Sequence, residues 1–213
     1  MNNSKIIGLL GGSFDPIHNG HLHIAQSVLD TFCLDAVHFI PNFQSPEKKQ
    51  TSTSADDRIE MARLATKNHA KFIVNDIEIQ RQGTSYTVDT LRSLKKDHPE
   101  NKLAFIMGAD AFNHFSRWHQ YHEILTLCSL IVINRPSFSI TAEAENNDIA
   151  ARINHSPSEL GQNENQNIFT IHAKPTPISS TSIRQHIANG ELADLPLPFA
   201  VKNYINQHRL YRS

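Results

Sequence analysis

Two short stretches, one towards each end of the chain, combine residue types suited to holding phosphate. The first reads GGSFDPIHNGHL over 11–22, and four of the chain's eight glycines, Gly8, Gly11, Gly12 and Gly20, lie in or beside it. Glycines at the end of a strand let a phosphate approach the backbone with no Cβ in the way, and a helix N-terminus presents free N–H groups and a partial positive charge. A helix beginning near Asn19 would carry His21 in its first turn, with His18 just ahead of it. The macrodipole there disfavours a protonated imidazole, but a neutral one still offers an N–H to a phosphate oxygen. A partly buried histidine in a polar loop is the plainer alternative. Metal ligation by His18, His21 and His23 is a further one, although no carboxylate or thiol stands at the usual spacing. The pattern is neither the dinucleotide GxGxxG nor a P-loop.

The second stretch is ISSTSIR, 178–184. Four consecutive hydroxyl residues ahead of Ile183 and Ile187 supply more donors than a helix cap needs. Arg184, read as lying in the first turn, opposes the macrodipole unless an anion sits beside it. Trp118, with Tyr121 and Leu125 at i+3 and i+7, reads from periodicity as a core-facing helix residue. His114, His119 and His122 do not converge on a helix and read as surface histidines.

These residues must be positioned by a scaffold, and the hydropathy pattern supplies one. Strand-length apolar runs recur at 6–10, 37–40, 72–74, 103–107, 130–133 and 168–171. They lack polar alternation, as parallel strands covered on both faces do. Between them, Ile24, Ala25, Val28, Leu29 and Phe32 share one helical face. A second helix is expected from a cap at Asp56-Asp57 with Ile59, Ala62 and Ala65 inward, and a third from about Thr84 towards Pro99. The alternation predicts an α/β fold with a doubly wound, mainly parallel sheet flanked by helices. Residues 1–213 are expected to form a single domain, with a polar excursion over 137–167 that carries one short helix at 142–153, and a helical C-terminal part over 178–213 that ends in a helix at 199–207.

Composition narrows the function. Twenty basic against twenty-one acidic residues give a net charge of −1, without the positive field that coats nucleic acid. Cys33 and Cys128 are too few for a disulfide framework, which suits a reducing cytoplasm. No apolar run is long enough for a membrane anchor or a secretory signal.

The HNGH tetrad together with ISSTSIR resembles the nucleotidylyltransferase superfamily, and the combination is similar to bacterial-type nicotinate mononucleotide adenylyltransferases. The likeness runs along most of the chain: SYTVDTL at 85–91, FIMGAD at 105–110, Trp118-His119, Arg135-Pro136 and the terminal Tyr204-Ile205 to Leu210-Tyr211 all fit. The resemblance implies a Rossmann-like fold and AMP transfer from ATP to nicotinate mononucleotide. It implies that Gly11, Gly12, Ser13 and Phe14 line the ATP cleft, that His18 and His21 bind its phosphates, and that Gly108, Asp110 and Arg135 hold the adenosine. Ser180, Thr181 and Arg184 would grip the triphosphate from the other side, with His18, His21 and Arg184 as the catalytic set. The mononucleotide would lie near Asn42, Lys48, Thr84, Tyr86 and Trp118, the indole stacking on the pyridine ring. Mg²⁺ would arrive on ATP and no resident metal is implied. ATP and nicotinate mononucleotide are the expected partners, without nucleic acid or membrane, and a homo-oligomer is compatible with the chain.

Where the family often carries Pro-Pro-His-Lys, this chain has Ser45-Pro46-Glu47-Lys48, an anion in place of a cationic donor. Within the superfamily, AMP transfer to pantetheine phosphate or CMP transfer to a phosphorylated alcohol remain alternatives, which the SYT segment and Trp118 disfavour. A non-catalytic nucleotide sensor is the rival of a different class. Class I aminoacyl-tRNA synthetases share H-x-G-H, but this length leaves no room for an anticodon-binding domain.

Overall fold

The apolar run at 6–10 becomes an interior strand of the sheet, and the reason is its composition. Strand β1 (Ile6–Gly12) buries Ile7 and Leu9 on one face and Leu10 on the other, so both faces need a covering layer. The computed structural model describes residues 4–46, 51–134, 147–154, 156–162, 167–172 and 178–212. Helix α1 (Asn19–Thr31) follows, then β2 (Ala36–Pro41), α2 (Ala55–Thr66), β3 (Phe72–Val74), α3 (Ile77–Arg81) and α4 (Thr87–Asp97). The second half comprises β4 (Lys102–Gly108), α5 (Ala109–Phe112), α6 (Tyr121–Leu127), β5 (Ser129–Asn134), α7 (Asn147–Ala150), β6 (Ile153–Asn154), β7 (Ile168–His172), α8 (Ser180–Ala188) and α9 (Phe199–Gln207).

Among the described residues the strands form one parallel sheet in the order β3-β2-β1-β4-β5-β7-β6. The chain winds outward from β1 in both directions, so the order reverses between β1 and β4. In open α/β sheets ligands bind beyond the carboxyl ends of the strands at such a switch point. One face packs α1, α2, α8 and α9 through Ala25, Val28, Met61, Ala62, Ile183, Ile187, Val201 and Ile205. The other packs α4, α5 and α6 through Val88, Leu91, Phe112, Ile124 and Leu125. No helix among the described residues is long and apolar enough to cross a membrane.

All six expected strands form, and α9 spans the expected residues. Four details differ. The cap of α2 is Ser54, whose Oγ accepts from Asp57 N at 3.1 Å; Asp56 and Asp57 occupy the first turn instead, where carboxylates suit the dipole. Helix α4 starts at Thr87, because Thr84 and Ser85 are extended and pair with Gln44. Short α3 went unanticipated. So did β6, which lies within the segment read as a polar excursion; there Ile149 and Leu160 are buried, so its described part contributes to the core.

Candidate active site

Beyond the end of β1 the chain turns sharply. Phe14 takes a left-handed φ of 48°, uncommon for a residue with a large side chain, and its ring is buried against Phe39 and edge-on to His21, with centroids 5.8 and 5.1 Å away. That turn delivers His18 in an extended conformation as the N-cap of α1, and His21 becomes the third helical residue. His21 Nδ1 accepts the backbone N–H of His18 at 3.2 Å, and the two imidazoles stack with centroids 3.7 Å apart. A nitrogen that accepts carries no proton, so neutral His21 bears its hydrogen on Nε2 as a donor. The helix start thus fixes the tautomer.

The second stretch meets the first directly. Helix α8 is capped by Ser179, whose Oγ accepts from Ser182 N at 3.1 Å, and Ser180 Oγ donates to Pro16 O at 2.9 Å. Arg184 is the fifth helical residue, one turn further in than the sequence suggested, so it is relieved of most of the dipole conflict. Its Nη1 donates to Asp15 O at 2.7 Å and its Nη2 to Thr181 Oγ1 at 3.3 Å. Imidazoles and guanidinium line one cavity of about 1160 Å³, together with Gly11, Gly12, Ser13, Phe14, Asp110, Ser180 and Thr181.

A second cavity, of about 610 Å³, shares the Gly11–Ser13 wall, His21, Asn42 and Asp110 with the first. Gly108, Tyr86 and Trp118 line it. Trp118 is not on a helix: it ends a 3₁₀ turn over Phe115–Arg117 in an extended conformation. Its ring meets Phe105 edge-on and leans on Phe115, and its buried Nε1 has no hydrogen-bond partner among the described residues. The loop after β2 is tied to the approach to α4: Ser85 N donates to Gln44 O at 2.8 Å and Phe43 N to Ser85 Oγ at 3.0 Å. Thr84 belongs to this tie and is not among the residues lining either cavity. Lys48 and Arg135 lie outside the described residues.

The glycines divide by role. Gly108 leaves room for its neighbour, since a Cβ there would come within 2.3 Å of Asp110 Oδ1 and displace that carboxylate. Gly8, counted with the phosphate-approach glycines on sequence, lies in the core instead, where a Cβ would meet Leu34 Cδ1 at 2.8 Å.

Sequence reasoning passed over a buried polar hub. Asp15 is 3% exposed; its Oδ1 accepts from Tyr211 OH at 2.7 Å and Thr53 Oγ1 at 2.8 Å, and its Oδ2 from Ser52 N at 2.7 Å. Burial and the Asp15 charge push the Tyr211 phenol above the ordinary tyrosine range, which keeps it a donor. Arg58 is buried beside the hub and donates to carbonyls at the ends of β1 and β2; burial holds its pKa below the usual arginine value. At the second cavity, Glu78 is pushed upward by burial and accepts from Thr90 Oγ1 at 2.6 Å. The spacing 58, 62, 65 had already put Arg58 on the apolar face of α2, a signal available before the fold.

A parallel sheet with a histidine-bearing helix start at its switch point, and an arginine from a distant helix lining the same cavity, has a nucleotidylyltransferase fold. The cytidylyltransferase-like family model matches residues 9–186, and the chain belongs, within that family, to the nicotinate-nucleotide adenylyltransferases. A relative from Hydrogenovibrio crunogenus, named a probable nicotinate-nucleotide adenylyltransferase, is 37% identical over 212 residues that span 100% of both chains. A relative of the same name from Geobacter sp. is 40% identical over 96% of this chain and 97% of its own. The fold matches that of Plasmodium falciparum nicotinic acid mononucleotide adenylyltransferase complexed with NaAD, at a TM-score of 0.74 and 19% identity over 97% of each chain.

Proposed function

We propose that residues 1–213 act as one nucleotidylyltransferase domain that transfers AMP from ATP to nicotinate mononucleotide, giving nicotinic acid adenine dinucleotide and pyrophosphate. The observation that carries this reading is the pair of adjoining cavities: one lined by His18, His21 and Arg184, the other by Tyr86 and Trp118, with a shared wall between. The first suits a triphosphate, and the second a flat ring with its phosphate directed towards the wall.

The incoming 5′-phosphate attacks the α-phosphorus of ATP, and pyrophosphate leaves. A phosphate monoester has a second pKa of ~6 and is already largely ionised at neutral pH, so no general base is needed. Catalysis then rests on in-line positioning and on donors placed where charge grows. His21 supplies Nε2–H, Arg184 supplies a cation, and Ser180 and Thr181 supply hydroxyls. Among carboxylates lining the first cavity, Asp15 already accepts three hydrogen bonds, which leaves Asp110 as the only one not so engaged among the described residues. A near-octahedral Mg²⁺ needs more oxygens than that, and this donor set fits a metal carried mainly by the triphosphate.

Pyrophosphate release from ATP with nicotinate mononucleotide, nicotinamide mononucleotide or pantetheine phosphate tests the reading. Turnover should be fastest with the nicotinate substrate. Release with pantetheine phosphate alone, or ATP binding with no release at all, would refute it.

A further inference from the structure

Arg58 lies on α2 at 1% exposure, and every hydrogen bond of its guanidinium goes to a neutral oxygen. Nη1 donates to Ser13 O at 2.8 Å, to Asn42 O at 2.7 Å and to Asn42 Oδ1 at 3.5 Å; Nη2 donates to Phe43 O at 3.4 Å. Its Nε has no hydrogen-bond partner, and it forms no ion pair among the described residues. A buried cation is costly unless an opposite charge compensates it. Asp15 attracts it through space, but that carboxylate is already held by Ser52, Thr53 and Tyr211, and its Oδ2 stands 4.0 Å from Arg184 Nη1. Two guanidiniums therefore share one carboxylate, and both line the first cavity. Asp110, the other carboxylate lining the cavity, forms no ion pair with either guanidinium among the described residues, so Arg58 is left without a charged contact of its own.

We propose that Arg58 is a positioning residue for the transfer reaction: it fastens the carbonyl ends of β1 and β2 where the two cavities join, and its charge, which has no ion-pair partner among the described residues, attracts substrate phosphate entering the first cavity. The inference rests on the proposed adenylyl transfer for its substrate, but the burial of Arg58 without an ion pair stands on geometry alone.

Arg58→Lys and Arg58→Gln separate charge from scaffold, because both lose the guanidinium fork while only lysine keeps the cation. Binding of inorganic tripolyphosphate is measured by calorimetry, and KM for ATP and kcat by pyrophosphate release. The Gln variant should bind tripolyphosphate at least about fivefold more weakly than the Lys variant, with KM for ATP raised more than kcat is lowered. A smaller gap between the two overturns the proposal and leaves Arg58 a strut. Should neither variant fold, Asp15→Asn decides: removing the shared carboxylate should tighten tripolyphosphate binding several-fold, and unchanged or weaker binding refutes the pull of the two guanidiniums on substrate phosphate. A wild-type protein that binds tripolyphosphate but releases no pyrophosphate with any mononucleotide would sink the adenylyl-transfer reading and leave this inference to its own test.

Discussion

His21 has one nitrogen engaged with the helix start, which leaves the other as a donor whose proton is fixed in place. Replacing His21 with Ala removes a preorganised donor, and where such a donor meets developing charge losses of about 10²–10³ in kcat are typical. The same change removes an acceptor for the His18 amide, so about 1 kcal/mol of stability should go with it. Steady-state kinetics alongside thermal unfolding checks both, and near-normal turnover would strip His21 of its role. Trp118 poses a different question, because periodicity placed it in a helix and the structure places it at the end of a 3₁₀ turn with a face on the second cavity. If the indole stacks on the pyridine ring, Trp118→Ala raises KM for the mononucleotide far more than KM for ATP. Equal rises would return it to a packing role. The HNGH and ISSTSIR residues were legible because each pattern is local, whereas the meeting of the two stretches through Asp15 and Pro16 was legible only through resemblance.

At the scale of elements, six strands could be read from uninterrupted apolar runs, since a strand covered on both faces has no polar alternation to hide it. Strand β6 has two residues and α3 five, too short for any period to declare itself. The cap of α2 was misplaced because acidic first-turn residues resemble caps in sequence; only the Ser54 hydrogen bond distinguishes them. Gly8 and Gly108 show the limit most clearly, as two glycines at sheet positions with opposite reasons for being glycine. Gly8→Ala drives a methyl into Leu34 and Ile106, an overpacking that costs about 1–3 kcal/mol, while activity per folded molecule should persist. Gly108→Ala forces Asp110 from its place on the cavity wall, so KM should change with little loss of stability. Paired urea titrations and kinetics on the two variants test this, and a reversal of the two outcomes would show the assignment to be wrong.

Across the whole molecule, the residue that closes the site comes from the other end of the chain. Tyr211 reaches Asp15 across 196 residues of sequence, and no local pattern could have announced the pair. Arg184 rests on the same Asp15, and Tyr204 OH donates to Asp57 of α2 at 3.0 Å, so the C-terminal helix and tail hold the turn between β1 and α1 against the sheet. Tyr211→Phe leaves a buried carboxylate one donor short, which should lower the unfolding free energy by about 1–3 kcal/mol. The pH dependence gives this a sign. Burial and Asp15 raise the folded phenol above its ordinary value of 10.0, so between that value and the folded one the native state binds more protons than the unfolded state. Stability contributed by Tyr211 is therefore fully present below pH 10.0 and is lost as the pH rises beyond it. Denaturant titrations of wild type and Tyr211→Phe should differ by a constant amount from neutral pH up to that point and converge above it; a gap that widens in alkali would mean that the hydroxyl is not donating to Asp15.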